Sequence, residues 1–300
     1  MSNSKKVEET KKTILNQKSS QRDAFFTRVY EMMKEDQDIV VITCDQGAPI
    51  FDKLRKDYAN RFFNVGIAEQ NGVLIGSGLA KEGKKVFVYA IASFMVLRAY
   101  EIIRISNSVM NYPVTIVGVG AGYSYDDSGP THHLFEDVAV MRVLPNFTIH
   151  NVTDNILARK FAEQSVEITT PNYVRLERHV ESDLYENNED ISNGFKVVKE
   201  GSDILILTMG IMVRQSLIVS QSLEKNGVKA AVVDIHTIRC NEEELIKLIS
   251  KYKKIVTIEE HFLPGGLGSY IAEILADSNI FVNLKRFGIK DEWIYRYGGR

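Results

Sequence analysis

The chain has 300 residues, 44% apolar content and a formal net charge of −2. That length suits two domains of roughly 100–200 residues each, and the near-balanced charge argues against a nucleic-acid-binding surface, which carries a basic excess. No run approaches the ~18 apolar residues of a membrane helix, and no apolar segment follows the early lysines as in a secretory leader, so a cytoplasmic protein is expected.

Residues 1–20 are polar and lysine-rich and read as a flexible tail. Residues 22–35 carry apolar groups at helical spacing, and 39–43 form a β-branched run suited to a buried parallel strand, ending at Cys44, Asp45, Gln46 and Gly47. A short extended run at 61–65 turns at Gly66 into a helix with Glu69 in its first turn. Gly72 and Gly76 share a helix face with Glu69. Glycine inside a helix costs roughly 0.5–1 kcal/mol against Ala, so this face reads as one that a flat ligand or another surface approaches. Tight helix packing beside a solvated acid is the alternative. Strands at 86–89, 114–119, 148–150 and 173–176 then alternate with helices at 94–110, 136–143 and 155–166. An acidic, Asn-rich stretch at 181–194 suits a linker. A second alternation follows, with strands at 204–208, 231–235, 255–258 and 281–284 and helices at 213–226, 242–251 and 268–277. This pattern predicts an α/β protein of two doubly wound domains, 21–180 and 195–300. Cys44 and Cys240 read as two buried thiols rather than a disulfide.

In open parallel sheets, ligands bind beyond the carboxyl ends of the strands. The richest such segment is 120–136, GAGYSYDDSGPTHHLFE, a long loop of the kind that is usually functional. His132 and His133 have no third ligand spaced to join them, so no metal site is expected. Hydroxyl recognition or acid–base work by one imidazole suits them better, the alternative being two surface histidines at a helix start. Phe94, Leu97 and Tyr100 form an aromatic and apolar stripe, read as core or as a cofactor wall. Arg98 and Arg104 share that helix and pair on paper with Glu101 at a solvated surface. Arg175 and Arg178 lie on a strand whose neighbours alternate faces, so one can meet an anionic substrate while the other binds protein.

Taken together, NVGIAEQN, SGPTHH, EDVAVMRVLPN and EEHFLPGGLGS resemble the transketolase family of thiamine-diphosphate enzymes, and more narrowly the C-terminal subunit of a split transketolase, over about residues 22–284. The resemblance implies a pyrimidine-binding domain followed by a transketolase C-terminal domain, and transfer of a two-carbon ketol unit from a ketose or ketose phosphate to an aldehyde. It implies that Glu69 hydrogen-bonds a ring nitrogen of the cofactor's aminopyrimidine and that Phe94 and Tyr100 belong to the aromatic wall around it. Asp45 matches an acid near the thiazolium, His132 a histidine contacting donor-sugar hydroxyls, and Arg178 a phosphate-binding arginine with Arg175 as fallback. Ser128 falls where pentose-phosphate transketolases carry a substrate-binding aspartate. The Gly-Asp-Gly signature that holds Mg²⁺ and diphosphate in this family is not seen. The resemblance therefore implies an N-terminal-type partner subunit holding diphosphate and metal, in a dimer of heterodimers. A deoxyxylulose-phosphate-synthase-like chain, a 2-oxo-acid dehydrogenase beta-type subunit and a non-catalytic assembly paralogue are the competing readings.

Overall fold

The computed structural model describes residues 19–179 and 182–299. Most of the expected tail lies outside those residues. Its last two belong to the fold: Ser20 caps helix α1 (Gln21–Met32) by accepting from the Asp23 amide, and the Ser19 carbonyl accepts from Asn155. From there the chain runs β1 (Ile39–Thr43), α2 (Pro49–Asp57), β2 (Phe62–Asn64), α3 (Glu69–Lys81), β3 (Lys85–Ile91) and α4 (Ala92–Arg98). A short turn of helix, Tyr100–Ile102, and a π-helical stretch, Ile103–Val109, lead to β4 (Val114–Val119). Helix α5 (Asp137–Arg142), β5 (Thr148–Asn151), α6 (Asn155–Glu167) and β6 (Asn172–Leu176) close the first unit. The second contains β7 (Lys196–Lys199), β8 (Ile204–Thr208), α7 (Met212–Glu224), β9 (Ala230–Asp234), β10 (Thr237–Ile238), α8 (Glu242–Ile249), β11 (Lys254–Phe262), α9 (Leu267–Asp277) and β12 (Asn283–Ile289).

Two sheets result, ordered β10-β5-β6-β4-β3-β1-β2 and β12-β11-β8-β9-β7. Both are parallel except for one antiparallel edge strand each, β10 on β5 and β7 on β9. The first sheet is buried on both faces, and its strands divide their side chains between two cores. Val40 and Ile42 of β1 with Val86 and Val88 of β3 face one core; Ile39 and Val41 with Phe87 and Tyr89 face the other. This is why these strands read as unbroken apolar runs. The first of these cores continues through Leu205, Val233 and Leu245 into the second unit, so the two sheets share buried contacts. Among the described residues no helix is long and apolar enough to cross a membrane.

Several expectations change. The helix expected at 94–110 breaks at Ala99, whose backbone leaves the helical region. The Arg98 carbonyl, which would continue the helix, instead accepts from the Gln70 side chain at 2.8 Å. The final strand lies at Asn283–Ile289 rather than 281–284; as an edge strand it carries Lys285 and Arg286 on its exposed residues. Residues 182–194 are packed rather than loose. The amides of Leu184 and Tyr185 donate to Asp154 at 2.6 and 2.7 Å, and the buried Tyr185 hydroxyl donates to Asp234 at 3.0 Å. Cys44 is buried, but Cys240 is only partly so, and both are free thiols.

Candidate active site at the carboxyl edge of the first sheet

The site begins where β1 and β2 end. Asn64 accepts from the amides of Asp45 (3.1 Å) and Gly66 (3.0 Å), joining the end of β1 to the turn that starts α3. Asp45 and Gly66 both adopt left-handed φ, +66° and +73°, and this double turn aims the helix start at the sheet edge. Glu69 is the first residue of α3, and its side chain is 3% exposed. Its carboxylate lies 3.5 Å from the Arg98 guanidinium, which is half exposed. Arg98 was expected to pair with Glu101; the structure gives it Glu69 instead.

Arg98 stacks over the Phe94 ring, 4.1 Å from guanidinium to ring centroid. The Phe94 ring meets His132 edge-on at 5.1 Å, and His132 in turn lies 5.7 Å from Tyr125. Arg178 covers the other partner of this row, 4.8 Å above the Tyr125 ring, and grips Asp127 through two hydrogen bonds of 2.8 and 3.2 Å. The Ser128 hydroxyl donates to the same carboxylate at 2.9 Å. Hydrogen bonds from Arg178 and Ser128 hold the Asp127 carboxyl down at about 2, so it is an anion at neutral pH. Burial and the neighbouring Glu69 charge push the Cys44 thiol up to about 12.

One continuous row of contacts thus links Glu69, Arg98, Phe94, His132, Tyr125, Arg178, Asp127 and Ser128. It unites five of the seven residues singled out in the sequence. Asp45 sits apart on its exposed turn, joined through Asn64. Tyr100 also sits apart: its hydroxyl donates to the Val140 carbonyl at 2.7 Å and its ring packs on the core. Arg175 is no alternative to Arg178, because it is buried and paired with Asp137 at 2.7 Å. Of the adjacent histidines, His132 is the accessible one, and burial lowers the basicity of His133. Arg98, Tyr125 and Asp127 were missed as site residues. The signal for Tyr125 was Gly120, whose φ of +105° and contact with the Tyr125 ring leave no room for a side chain.

Two of the glycines of α3, Gly72 and Gly76, face the sheet. A methyl group on Gly72 would stand 3.1 Å from Cys44 Sγ, and one on Gly76 would stand 2.8 Å from Val88 Cγ2. Both seat the helix on its own sheet, and only Gly78 opens to free space. The loop at 120–136 is closed at its base by paired backbone hydrogen bonds between Gly122 and Leu134, 3.0 and 3.1 Å.

The donor set suits a flat heteroaromatic ring. A shielded carboxylate is linked through Arg98 to the Phe94 ring, and among the described residues Gln46 Oε1 and the buried Ser93 Oγ, beyond the ends of β1 and β3 on the same edge, have no hydrogen-bond partner. Among the described residues no group of three or more His, Cys, Asp or Glu is placed to hold a metal ion.

Comparison with known proteins matches the model of the transketolase pyrimidine-binding domain to residues 17–180 and that of the transketolase C-terminal domain to residues 194–298. The chain is 34% identical over 278 residues to a putative transketolase C-terminal section from Methanocaldococcus jannaschii, covering 90% of this chain and 86% of that one. It is 34% identical over 275 residues to a subunit of the apulose-4-phosphate transketolase of Phocaeicola vulgatus, covering 90% and 88%. Among solved structures it is similar to a split-gene transketolase described as an inactive β4 tetramer, with TM-score 0.83, 33% identity and coverage of 91% and 89%.

Proposed function

Because the chain belongs to the transketolase family, we propose that it is the pyrimidine-side subunit of a heteromeric, thiamine-diphosphate-dependent transketolase that moves a two-carbon ketol unit from a ketose or ketose phosphate to an aldehyde. The observation that carries this reading is the buried Glu69 carboxylate, held at a helix start and joined through Arg98 and Phe94 to His132. A bound cofactor would supply a carbon nucleophile for a ketose carbonyl.

Glu69 holds a proton between its carboxyl oxygen and a pyrimidine nitrogen. Its present neighbour is Arg98, a 3.5 Å contact to a half-exposed guanidinium, which the ring nitrogen would replace. Phe94 would give the pyrimidine an aromatic wall, Tyr100 would support the core beneath it from its place against Val140, and Asp45 would supply an acid near the thiazolium. His132, with its Nδ1 3.0 Å from the Thr131 hydroxyl, orients its imidazole toward sugar hydroxyls. Ser128 and Arg178 read the far end of the substrate, where Arg178 receives a phosphate or similar anion.

The diphosphate and its Mg²⁺ belong to an N-terminal-type partner subunit, and the active particle is a dimer of such pairs in the cytoplasm. The need for a partner subunit is supported by the names of its relatives, given as a section or a subunit of a transketolase, and by the similar solved tetramer, which is described as inactive. Reconstitution tests it. The chain alone shows no ketol transfer, the complex with its partner does, and Glu69→Gln in that complex lowers kcat about 10²-fold or more while the fold is kept. Near-normal turnover by the Gln variant, or full activity without a partner, refutes the proposal.

A further inference from the structure

We infer that the C-terminal segment 293–298 is a strap that sets the position of the substrate loop, with Tyr297 as its positioning residue for His132 and Ser128. The functional half of this inference rests on the transketolase reading above; the strap itself does not.

The strap is fastened at two points. At one end, Trp293 meets Phe262 edge-on at 5.3 Å, and Phe262 meets Phe135 of the substrate loop at 5.5 Å. Phe135 meets Tyr123 edge-on at 4.7 Å, so the aromatic row reaches both ends of the loop. At the other end, the Gly298 amide donates to the Asp126 carbonyl at 3.2 Å. Between these points the Tyr297 ring lies directly on Gly129: a side chain there would come within 2.9–3.1 Å of Tyr297 Oη, Cζ and Cε1. Gly129 also has φ of +75°. It is therefore glycine for two independent reasons, its backbone conformation and the ring that covers it.

Gly129 is the residue through which the strap reaches the site. Its carbonyl accepts from the amides of both His132 (2.9 Å) and His133 (3.1 Å). The preceding amide, that of Ser128, donates to the Tyr125 carbonyl at 3.0 Å. A displacement of Gly129 is passed by these bonds to the His132 ring, seated between Phe94 and Tyr125, and to the Ser128 hydroxyl on Asp127. Asp126, held by Gly298, adjoins the carboxylate that engages Arg178. Among the described residues Tyr297 makes no hydrogen bond or ring contact with the proposed substrate-binding side chains in the row. It acts through Gly129, which makes it a positioning residue, and gives the second domain a part in choosing the sugar.

Tyr297 is 69% exposed, so its removal leaves the core intact. Two measurements on Tyr297→Ala and Tyr297→Phe test the inference. In hydrogen exchange on the purified chain, the His132 and His133 amides lose protection in Y297A and keep it in Y297F, while melting temperatures stay close to wild type. In the reconstituted enzyme, Y297A raises KM for the donor sugar on the order of tenfold, with kcat changed far less, and Y297F restores it. Unchanged exchange at His132 in Y297A overturns the strap, as does a fall in kcat with KM unmoved. A wild-type complex without ketol transfer refutes the functional reading, while the exchange result still decides the strap.

Discussion

Gly76 offers the sharpest test of how Glu69 is held. An added methyl at Gly76 would meet Val88 Cγ2 at 2.8 Å and Val86 Cγ1 at 3.3 Å. Val88 is fully buried and β-branched, so it has no free rotamer to yield into. Overpacking of this kind costs about 1–3 kcal/mol, while replacing a helical Gly by Ala returns about 0.5–1 kcal/mol. Gly76→Ala is therefore about 1 kcal/mol less stable than wild type. Gly78→Ala, on the same helix but with nothing within 4 Å, receives only the helical gain. The helical gain is common to both, so the two variants should differ by the overpacking cost, about 1–3 kcal/mol, in equilibrium urea unfolding followed by far-ultraviolet ellipticity. Adding Val88→Ala to Gly76→Ala opens the space the methyl needs, so the pair should be less destabilised than the sum of its single changes. Because α3 begins at Glu69, the same shift should lower turnover of the reconstituted enzyme. Equal stability of G76A and G78A, with strict additivity in the double variant, would show that the glycine does not seat the helix.

The other predictions concern buried and paired charge. Arg175→Met leaves Asp137, fully buried, with the Tyr173 hydroxyl at 2.9 Å as its one remaining hydrogen-bond donor among the described residues, and should cost about 3–5 kcal/mol; Arg55→Met, at an exposed pair, should cost less than about 1 kcal/mol in the same urea titration. Burial pushes the Asp234 carboxyl up to about 7, against about 3.9 in an unfolded chain. Between those values the unfolded chain has released a proton that the folded one retains, so this group's contribution to stability falls as pH rises. Wild type should lose stability relative to Asp234→Asn from pH 5 to pH 8, and a pH-independent difference would refute the assignment. Asp127→Asn removes the anion that engages Arg178 and should lower KM for a phosphorylated donor without lowering it for an unphosphorylated one; steady-state kinetics with a matched pair of sugars decides this.

The strands of the first sheet were legible because parallel strands buried on both faces need unbroken apolar runs, and β1 and β4 are such runs. Helix spacing also grouped Glu69, Gly72 and Gly76 correctly on one face, but spacing cannot say what that face meets. It meets β1 and β3 of the same chain. Partner choice was the least legible feature. Arg98 has Glu101 three residues away, the local pair that a sequence suggests, yet its neighbour is Glu69 on another helix. The break at Ala99 has the same origin, a side chain from α3 taking the Arg98 carbonyl. Strand β10, only two residues long, joins the first sheet from within the second half of the chain, and a segment that short leaves no period to detect.

These non-local contacts bear on why the two units travel together in one chain. The buried Asp137–Arg175 pair lies where the first unit meets Glu260, whose carbonyl is 3.5 Å from Arg175 and whose carboxylate accepts from the Tyr123 amide at 2.8 Å. Tyr123 belongs to the substrate loop, and Glu260 to β11 of the second sheet. Phe262, two residues on, accepts Trp293 on one side and Phe135 on the other. Strand β11 therefore touches the loop through a charged contact and an aromatic one, while the chain end crosses it at Gly129. With Glu69 fixed by the first sheet and His132 fixed by a loop leaning on the second, the distance between them depends on both units. The second domain thus contributes to the geometry of the candidate site.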